Sequence, residues 1–185
     1  MSTRVSDIFV ERMPIATIES GDLLCWKKDS HSSTSDFLIQ SIRLLTRSEY
    51  GHVGIAWRCH DGIDDELFVI EATIPKIRVS RVMVDRDFDC IPMHVPWNRK
   101  GKDFLVSKLG NPYSTLDAFR AFFGITLKDD DSFQCVELAH YFYEVYGLNL
   151  VHDFTPGGLV KAAEKYNGRR ALRVVVNTNK CDDGE

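Results

Sequence analysis

The sequence lacks any apolar run long enough to cross a membrane. Its longest stretch without Asp, Glu, Lys or Arg covers nine residues, Cys90 to Asn98, whereas a spanning helix needs about 20 apolar residues. The first ten residues contain no apolar segment behind a positively charged one, so no secretory signal is visible. We therefore expect a cytoplasmic protein with no integral membrane association.

Paired cysteines and an excess of positive charge are also missing. The five cysteines stand at positions 25, 59, 90, 135 and 181, and no two of them form a Cys-x-x-Cys pair. An odd, scattered set does not indicate a disulfide framework and favours a reducing compartment. The net charge of −4 disfavours a protein whose main task is to neutralise nucleic-acid phosphates.

What the sequence does contain is typical of one globular domain. Hydrophobic residues make up 44% and charged residues 27% of its 185 positions, which excludes wholesale disorder. We expect a single domain over residues 1–185, with a folded core from about 15 to 176 and poorly ordered termini. Residues 20–95 are mostly strand-like and 98–168 are mostly helical, which predicts an α+β architecture.

Hydrophobic periodicity and turn residues indicate the individual elements. Strands are predicted at 23–27, 50–58, 67–72, 77–84, 88–95 and 171–176. Helices are predicted at 36–46, 98–109, 115–123, 131–146 and 159–166. The runs at 50–58 and 67–72 are separated by a turn rich in Asp and Gly, so we expect them to pair as a hairpin with a longish loop.

Cys135 stands near the predicted start of the 131–146 helix. There the helix dipole and the free backbone amides favour a thiolate. The apolar stripe of Leu138, Ala139 and Phe142 puts the cysteine on the packed face, which is the arrangement of a papain-type nucleophile. The alternative is that Cys135 is a small core residue, and the acidic run at 129–131 would oppose formation of a thiolate.

His52 and Glu71 are the candidate partners of this cysteine. Strand alternation puts His52 on the same face as Gly54 and Ala56, so another element or a substrate has room to approach it. Glu71 follows four apolar residues, where a carboxylate usually needs a partner. If the two strands pair, Glu71 could reach the imidazole. Otherwise His52 is a satisfied, partly buried histidine and Glu71 marks an exposed strand end.

Together these residues supply the nucleophile, base and orienting group that acyl transfer through a thiol requires. They occur in the order His, Glu, Cys, whereas papain-like enzymes usually run Cys, then His, then the orienting residue. The chain resembles the circularly permuted papain-like proteins of the NlpC superfamily, the YiiX type, in which the histidine strand precedes the cysteine helix. The matching residues are Gly21-Asp22-Leu23-Leu24, Ser41, Thr46, Ser48, Tyr50, His52-Val53-Gly54-Ile55, Val69-Ile70-Glu71-Ala72, Gly110, Pro112-Tyr113, Cys135 and Glu137-Leu138.

The resemblance implies a papain-like fold, in which an antiparallel sheet packs on helices and the nucleophile lies at a helix N-terminus. It makes Cys135 the nucleophile, His52 the base and Glu71 the orienting residue. Tyr113 would lie near the site as an oxyanion or substrate contact, or would be only a turn tyrosine. Val136 departs from the family pattern, which usually has a small hydroxyl residue after the cysteine.

The leading interpretation is a cysteine hydrolase that cleaves an amide or ester bond through a thioester acyl-enzyme, as a peptidase or amidase does. One alternative is acyl-lipid hydrolysis or acyl transfer, the chemistry of lecithin retinol acyltransferase, another permuted relative. A second alternative is a binding module on the same fold without turnover. A third is a metal site built from Cys59, His60, Cys90 and His94, whose spacing is loose.

The hydrolase interpretation requires no cofactor and no contact with nucleic acid. Its partner would be a small-molecule, peptide or acyl-lipid substrate. The sequence leaves both the choice among these substrates and the oligomeric state open.

Overall fold

The computed structural model describes residues 12–27, 49–60, 65–82, 88–113, 133–150, 154–168 and 171–175. The helices predicted at 36–46 and 115–123 lie outside the described residues. Within them, the chain forms a seven-stranded sheet and three α-helices. The architecture is therefore α+β, as the sequence predicts.

The sheet is antiparallel except at one edge. Its strands lie in the order β1-β7-β6-β2-β3-β4-β5, and only the edge pair β1 and β7 runs parallel. The predicted hairpin is present as β3 paired with β4. The strands are β1 (Arg12–Pro14), β2 (Leu23–Lys27), β3 (Tyr50–His60), β4 (Asp65–Ala72), β5 (Ile77–Arg81), β6 (Phe88–Ile91) and β7 (Leu172–Val175).

The three α-helices of the described residues all come after β6 in the chain. They are α1 (Arg99–Lys108), α2 (Cys135–Glu144) and α3 (Pro156–Asn167). The side chain of Asn98 accepts a hydrogen bond from the backbone of α1, and Thr155 caps α3 in the same way. Gly168 takes a left-handed conformation at the end of α3, which glycine adopts without steric cost.

Strand alternation separates two hydrophobic clusters. In one cluster, Val53 and Ile55 of β3 join the apolar residues of α2 and α3, among them Phe142 and Leu159. The other cluster unites alternate residues of several strands: Leu24, Ala56, Leu67, Val69, Phe88, Cys90, Leu172 and Val174. Because β3 contacts both α2 and α3, the two helices pack against this strand.

Several predicted boundaries are wrong. The α2 helix begins at Cys135, four residues later than the predicted Asp131, because Gln134 caps it and its backbone N–H donates to Glu137 Oε2 at 3.0 Å. The strand predicted at 88–95 ends at Ile91, since the next residue is a proline and has no N–H for a ladder. The strand predicted at 77–84 ends at Arg81, and β1 was not predicted.

Gly54→Ala tests the close approach of β3 and β4. A Cβ on Gly54 would overlap the Val69 side chain and lie 3.2 Å from the Ile70 carbonyl oxygen. Because both neighbours belong to the packed sheet, we expect the free energy of unfolding to fall by about 1–3 kcal/mol, measured by urea unfolding. Ser107→Ala, on the exposed face of α1, is the control. An unchanged midpoint in Gly54→Ala would contradict the close approach of the two strands.

Candidate active site

Pairing of β3 with β4 brings His52 and Glu71 to the same end of the sheet. His52 lies near the start of β3, Glu71 lies near the end of β4, and the two strands are antiparallel. Gly54 leaves the space beside Glu71 empty, since a Cβ there would lie only 3.4 Å from the Glu71 Cβ. The absence of a side chain at Gly54 therefore leaves room for the carboxylate to lean toward the imidazole.

A short hydrogen bond joins these two side chains. His52 Nε2 lies 2.7 Å from Glu71 Oε2. An ionised carboxylate only accepts hydrogen bonds, so Nε2 carries the proton and donates it. The His52 side chain is 23% exposed and that of Glu71 is 11% exposed. The imidazole is thus open to a small group from solvent, while the carboxylate behind it is covered.

Cys135 joins the pair from α2. It is the first residue of that helix, where a backbone N–H has no partner within the helix. Its side chain is buried and lies close enough to His52 to raise the pKa of that imidazole. Because Glu71 already occupies Nε2, the nitrogen available to the sulfur atom is Nδ1. The structure therefore brings together the three residues that the sequence singled out.

Hydrogen bonds and charges set the protonation states of this cluster. Burial lowers the pKa of His52, but the hydrogen bonds and charges of Cys135 and Glu71 outweigh burial and raise that pKa to about 10. Burial raises the pKa of Glu71, but His52 and the Arg78 guanidinium outweigh it and lower that pKa to about 2. At neutral pH the pair is therefore imidazolium and carboxylate.

The other described cysteines have different surroundings. Cys25 and Cys90 are completely buried, and burial raises the pKa of each thiol well above its ordinary range. Cys59 is partly exposed near the end of β3, and Cys181 lies outside the described residues. Among the described cysteines, Cys135 is the one whose side chain raises the pKa of a neighbouring histidine.

Tyr113 lies beside the segment that leads into α2. Its backbone forms a bridge with Phe133, two residues before Cys135, and its N–H donates to the Pro75 carbonyl at 2.9 Å. Its ring packs against the cluster that contains α2. This position is near the start of the helix, and a contact between Tyr113 and a substrate stays a prediction.

Residues 59, 60, 90 and 94 do not assemble into a metal site. Within the part of the chain that the structure describes, no group of three or more His, Cys, Asp or Glu side chains could hold an ion. Cys90 is buried near Asp22, whereas His60 lies 3.4 Å from Asp65 between β3 and β4. The spacing in the sequence therefore does not correspond to a cluster in space.

Sequence reasoning missed the residues that surround the His52–Glu71 pair. Arg78 and Ser80 of β5 both contact the Glu71 carboxylate. The Trp26 ring lies opposite His52 in the pairing of β2 with β3, with centroids 5.4 Å apart. Alternation within β5 could have put Arg78 and Ser80 on one face, but only knowledge of the strand register could have linked them to Glu71.

The geometry of this site, rather than similarity to a known family, is the basis for assigning a function. The chain matches no family model, and no curated protein matches it. None of the described helices is long and apolar enough to span a membrane.

The lowered pKa of Glu71 predicts how stability depends on pH. A carboxyl whose pKa falls from 4.5 to about 2 on folding stabilises the fold above pH 4.5, and this stabilisation is lost as the pH drops toward 2. Glu71→Gln has no such proton to bind. On acidification over this window we expect the free energy of unfolding to fall by about 2–3 kcal/mol less in this variant than in the wild type, measured by urea unfolding.

Glu66→Gln is the matched control for this experiment. Glu66 lies on the same strand and pairs with Arg81 of β5 at 2.7 Å, away from His52. This variant should keep most of the acid dependence of the wild type. Equal acid losses in the wild type and in Glu71→Gln would contradict the lowered pKa.

Proposed function

We propose that this protein is a cysteine hydrolase that cleaves an amide or ester bond by means of Cys135, His52 and Glu71. The observation that carries the proposal is the position of His52, which is hydrogen-bonded to the Glu71 carboxylate and lies beside the Cys135 thiol. A nucleophile next to a base that a third group orients is the arrangement that thiol-based acyl transfer uses.

The proposed reaction uses Cys135 as the nucleophile and His52 as the proton donor and acceptor. The Cys135 thiolate attacks the carbonyl carbon, and the backbone N–H of Cys135 donates a hydrogen bond to the developing oxyanion. The His52 imidazolium gives its proton to the leaving amine or alcohol, which departs and leaves a thioester. Neutral His52 then takes a proton from water as that water attacks the thioester, so that the acid product leaves and the ion pair is restored.

The order of the elements supports a papain-like fold of the circularly permuted NlpC type. The strands that carry His52 and Glu71 precede the helix that begins at Cys135, and this helix packs on β3 of a largely antiparallel sheet. A peptidase or amidase activity is the chemistry that this group implies. Because the mechanism depends on a free thiol, it suits a reducing compartment such as the cytoplasm.

Substitutions should affect turnover in a defined order. Cys135→Ala should abolish turnover, because no acyl-enzyme forms. His52→Ala should cost nearly as much, roughly 10³-fold or more in kcat, because it removes proton transfer and the cation beside the thiol. Glu71→Gln should cost less, since an amide oxygen still accepts the ring N–H. The double variant lacking both Cys135 and His52 should be no worse than Cys135→Ala. Hydrolysis of a panel of peptide, amide and acyl-ester substrates measures these effects.

Two substitutions serve as controls. Cys59→Ala removes a partly exposed thiol and His60→Ala removes an exposed imidazole, and both should keep wild-type turnover. Circular dichroism checks that each variant folds. Wild-type turnover that persists in Cys135→Ala would overturn the mechanism. If a ligand binds tightly without turnover and Cys135→Ala does not change this binding, the result would favour a binding module. If the protein prefers acyl esters of lipids as substrates, the result would favour acyl-lipid chemistry.

A further inference from the structure

The two oxygens of the Glu71 carboxylate have different partners. Oε2 lies 2.7 Å from His52 Nε2. Oε1 contacts Arg78 through Nε at 3.1 Å and through Nη2 at 3.0 Å, and it accepts a hydrogen bond from Ser80 Oγ at 3.1 Å. Every contact that β5 makes with this carboxylate therefore goes to the oxygen that does not contact the imidazole.

The pairing of β4 with β5 delivers both donors to the same place. Arg78 lies directly opposite Glu71, and Ser80 lies opposite Val69, two positions along β4. Alternate residues of a strand share a face, and directly opposite and diagonal residues of neighbouring strands come within side-chain reach. The donors are thus fixed by the register of the sheet rather than by a mobile loop.

This arrangement restricts rotation of the carboxylate. If the carboxylate turned about its terminal bond, Oε1 would lose its three donor contacts and Oε2 would lose the imidazole. A carboxylate held in this way keeps Oε2 pointed at Nε2, and the ring of His52 keeps Nδ1 for the Cys135 side chain. Ser80 contributes mainly to this orientation, because an uncharged hydroxyl donor stabilises the ionised carboxylate less than a guanidinium does.

Arg78 contributes charge as well as orientation. The charged groups that face Glu71 from its neighbouring strands, among the described residues, are His52 from β3 and Arg78 from β5, and the thiol of Cys135 from α2 adjoins His52. In the mechanism above, His52 loses its positive charge each time it protonates a leaving group. A guanidinium stays protonated throughout, so Arg78 is the cation that still faces Glu71 when the imidazole is neutral.

We propose that Arg78 and Ser80 are positioning residues of the site, with Ser80 fixing the orientation of the Glu71 carboxylate and Arg78 fixing both its orientation and its ionisation. The catalytic meaning of this assignment rests on the proposed function. An ordinary surface ion pair would leave the ionisation of Glu71 and the orientation of His52 unchanged.

The test uses NMR titration of the full chain with isotopically labelled Glu and His. The carboxyl carbon of Glu71 reports its ionisation, and exchange of the His52 Nε2 proton with water reports the orientation. In Arg78→Gln we expect the Glu71 midpoint to rise by about one pH unit and the ring proton to exchange several-fold faster. In Ser80→Ala we expect faster exchange and a smaller rise of the Glu71 midpoint than in Arg78→Gln. In Arg78→Lys the Glu71 midpoint should return most of the way to its wild-type value, because lysine keeps the positive charge.

Arg81→Gln is the matched control, because Arg81 forms the other ion pair between β5 and β4, with Glu66 at 2.7 Å. This variant removes the same charge from the same strand and should change neither readout. The proposal is overturned if Arg78→Gln moves the Glu71 midpoint no more than Arg81→Gln does, or if Ser80→Ala leaves the proton exchange unchanged. If Arg78→Gln fails to fold, Arg78→Lys gives the test. A Glu71 midpoint in Arg78→Lys well above that of the wild type would show that the charge at position 78 does not keep Glu71 ionised.

Kinetics separate this proposal from the proposed function. With a substrate that the wild type turns over, Arg78→Gln should lower kcat with little change in KM and should move the acid side of the kcat/KM profile to higher pH. Arg78→Lys should recover that pH profile, which a merely structural role would not predict. If the wild type turns over no substrate, the proposed function fails, and the NMR titration still decides the roles of Arg78 and Ser80.

Discussion

The hydrogen bond from His52 to Glu71 crosses from β3 to β4 over 2.7 Å. A carboxylate with so little exposure cannot stay ionised in a folded protein without partners. Glu71 has them on both sides, because the register of three adjacent strands brings His52 and Arg78 to it. The sheet thus holds an anion behind an imidazole that remains partly open to solvent, and the Cys135 side chain lies on the other side of that imidazole.

The start of α2 brings Cys135 next to the His52–Glu71 pair. Gln134 and Glu137 fix the first turn, and buried residues such as Phe142 hold the helix against β3. Cys25 and Cys90 represent core cysteines in this fold: each is completely buried, and burial raises the pKa of its thiol. Cys135 differs from them because an imidazolium lies beside it, in a position where a structural cysteine requires none.

How much could be predicted from the sequence depends on the range of the interactions. Alternation in 50–58 and 67–72 indicated the hairpin, and an isolated carboxylate after four apolar residues indicated that Glu71 needed a partner. The sequence predicts too early a start for α2, because Asp131 is a good cap by residue type whereas the Gln134–Glu137 capping pair forms instead. Arg78 could not be predicted as a partner of Glu71, since this contact depends on the register of β5.

Site-resolved alkylation tests most directly whether His52 makes Cys135 a nucleophile. The protein is treated with iodoacetamide at neutral pH, and the labelling rate of each cysteine is read by mass spectrometry. We expect Cys135 to react faster than Cys59 despite its burial, and its rate in His52→Ala to fall to that of an unassisted thiol. Earlier labelling of Cys25, Cys59 or Cys90, or a Cys135 rate that is the same in His52→Ala, would contradict this account.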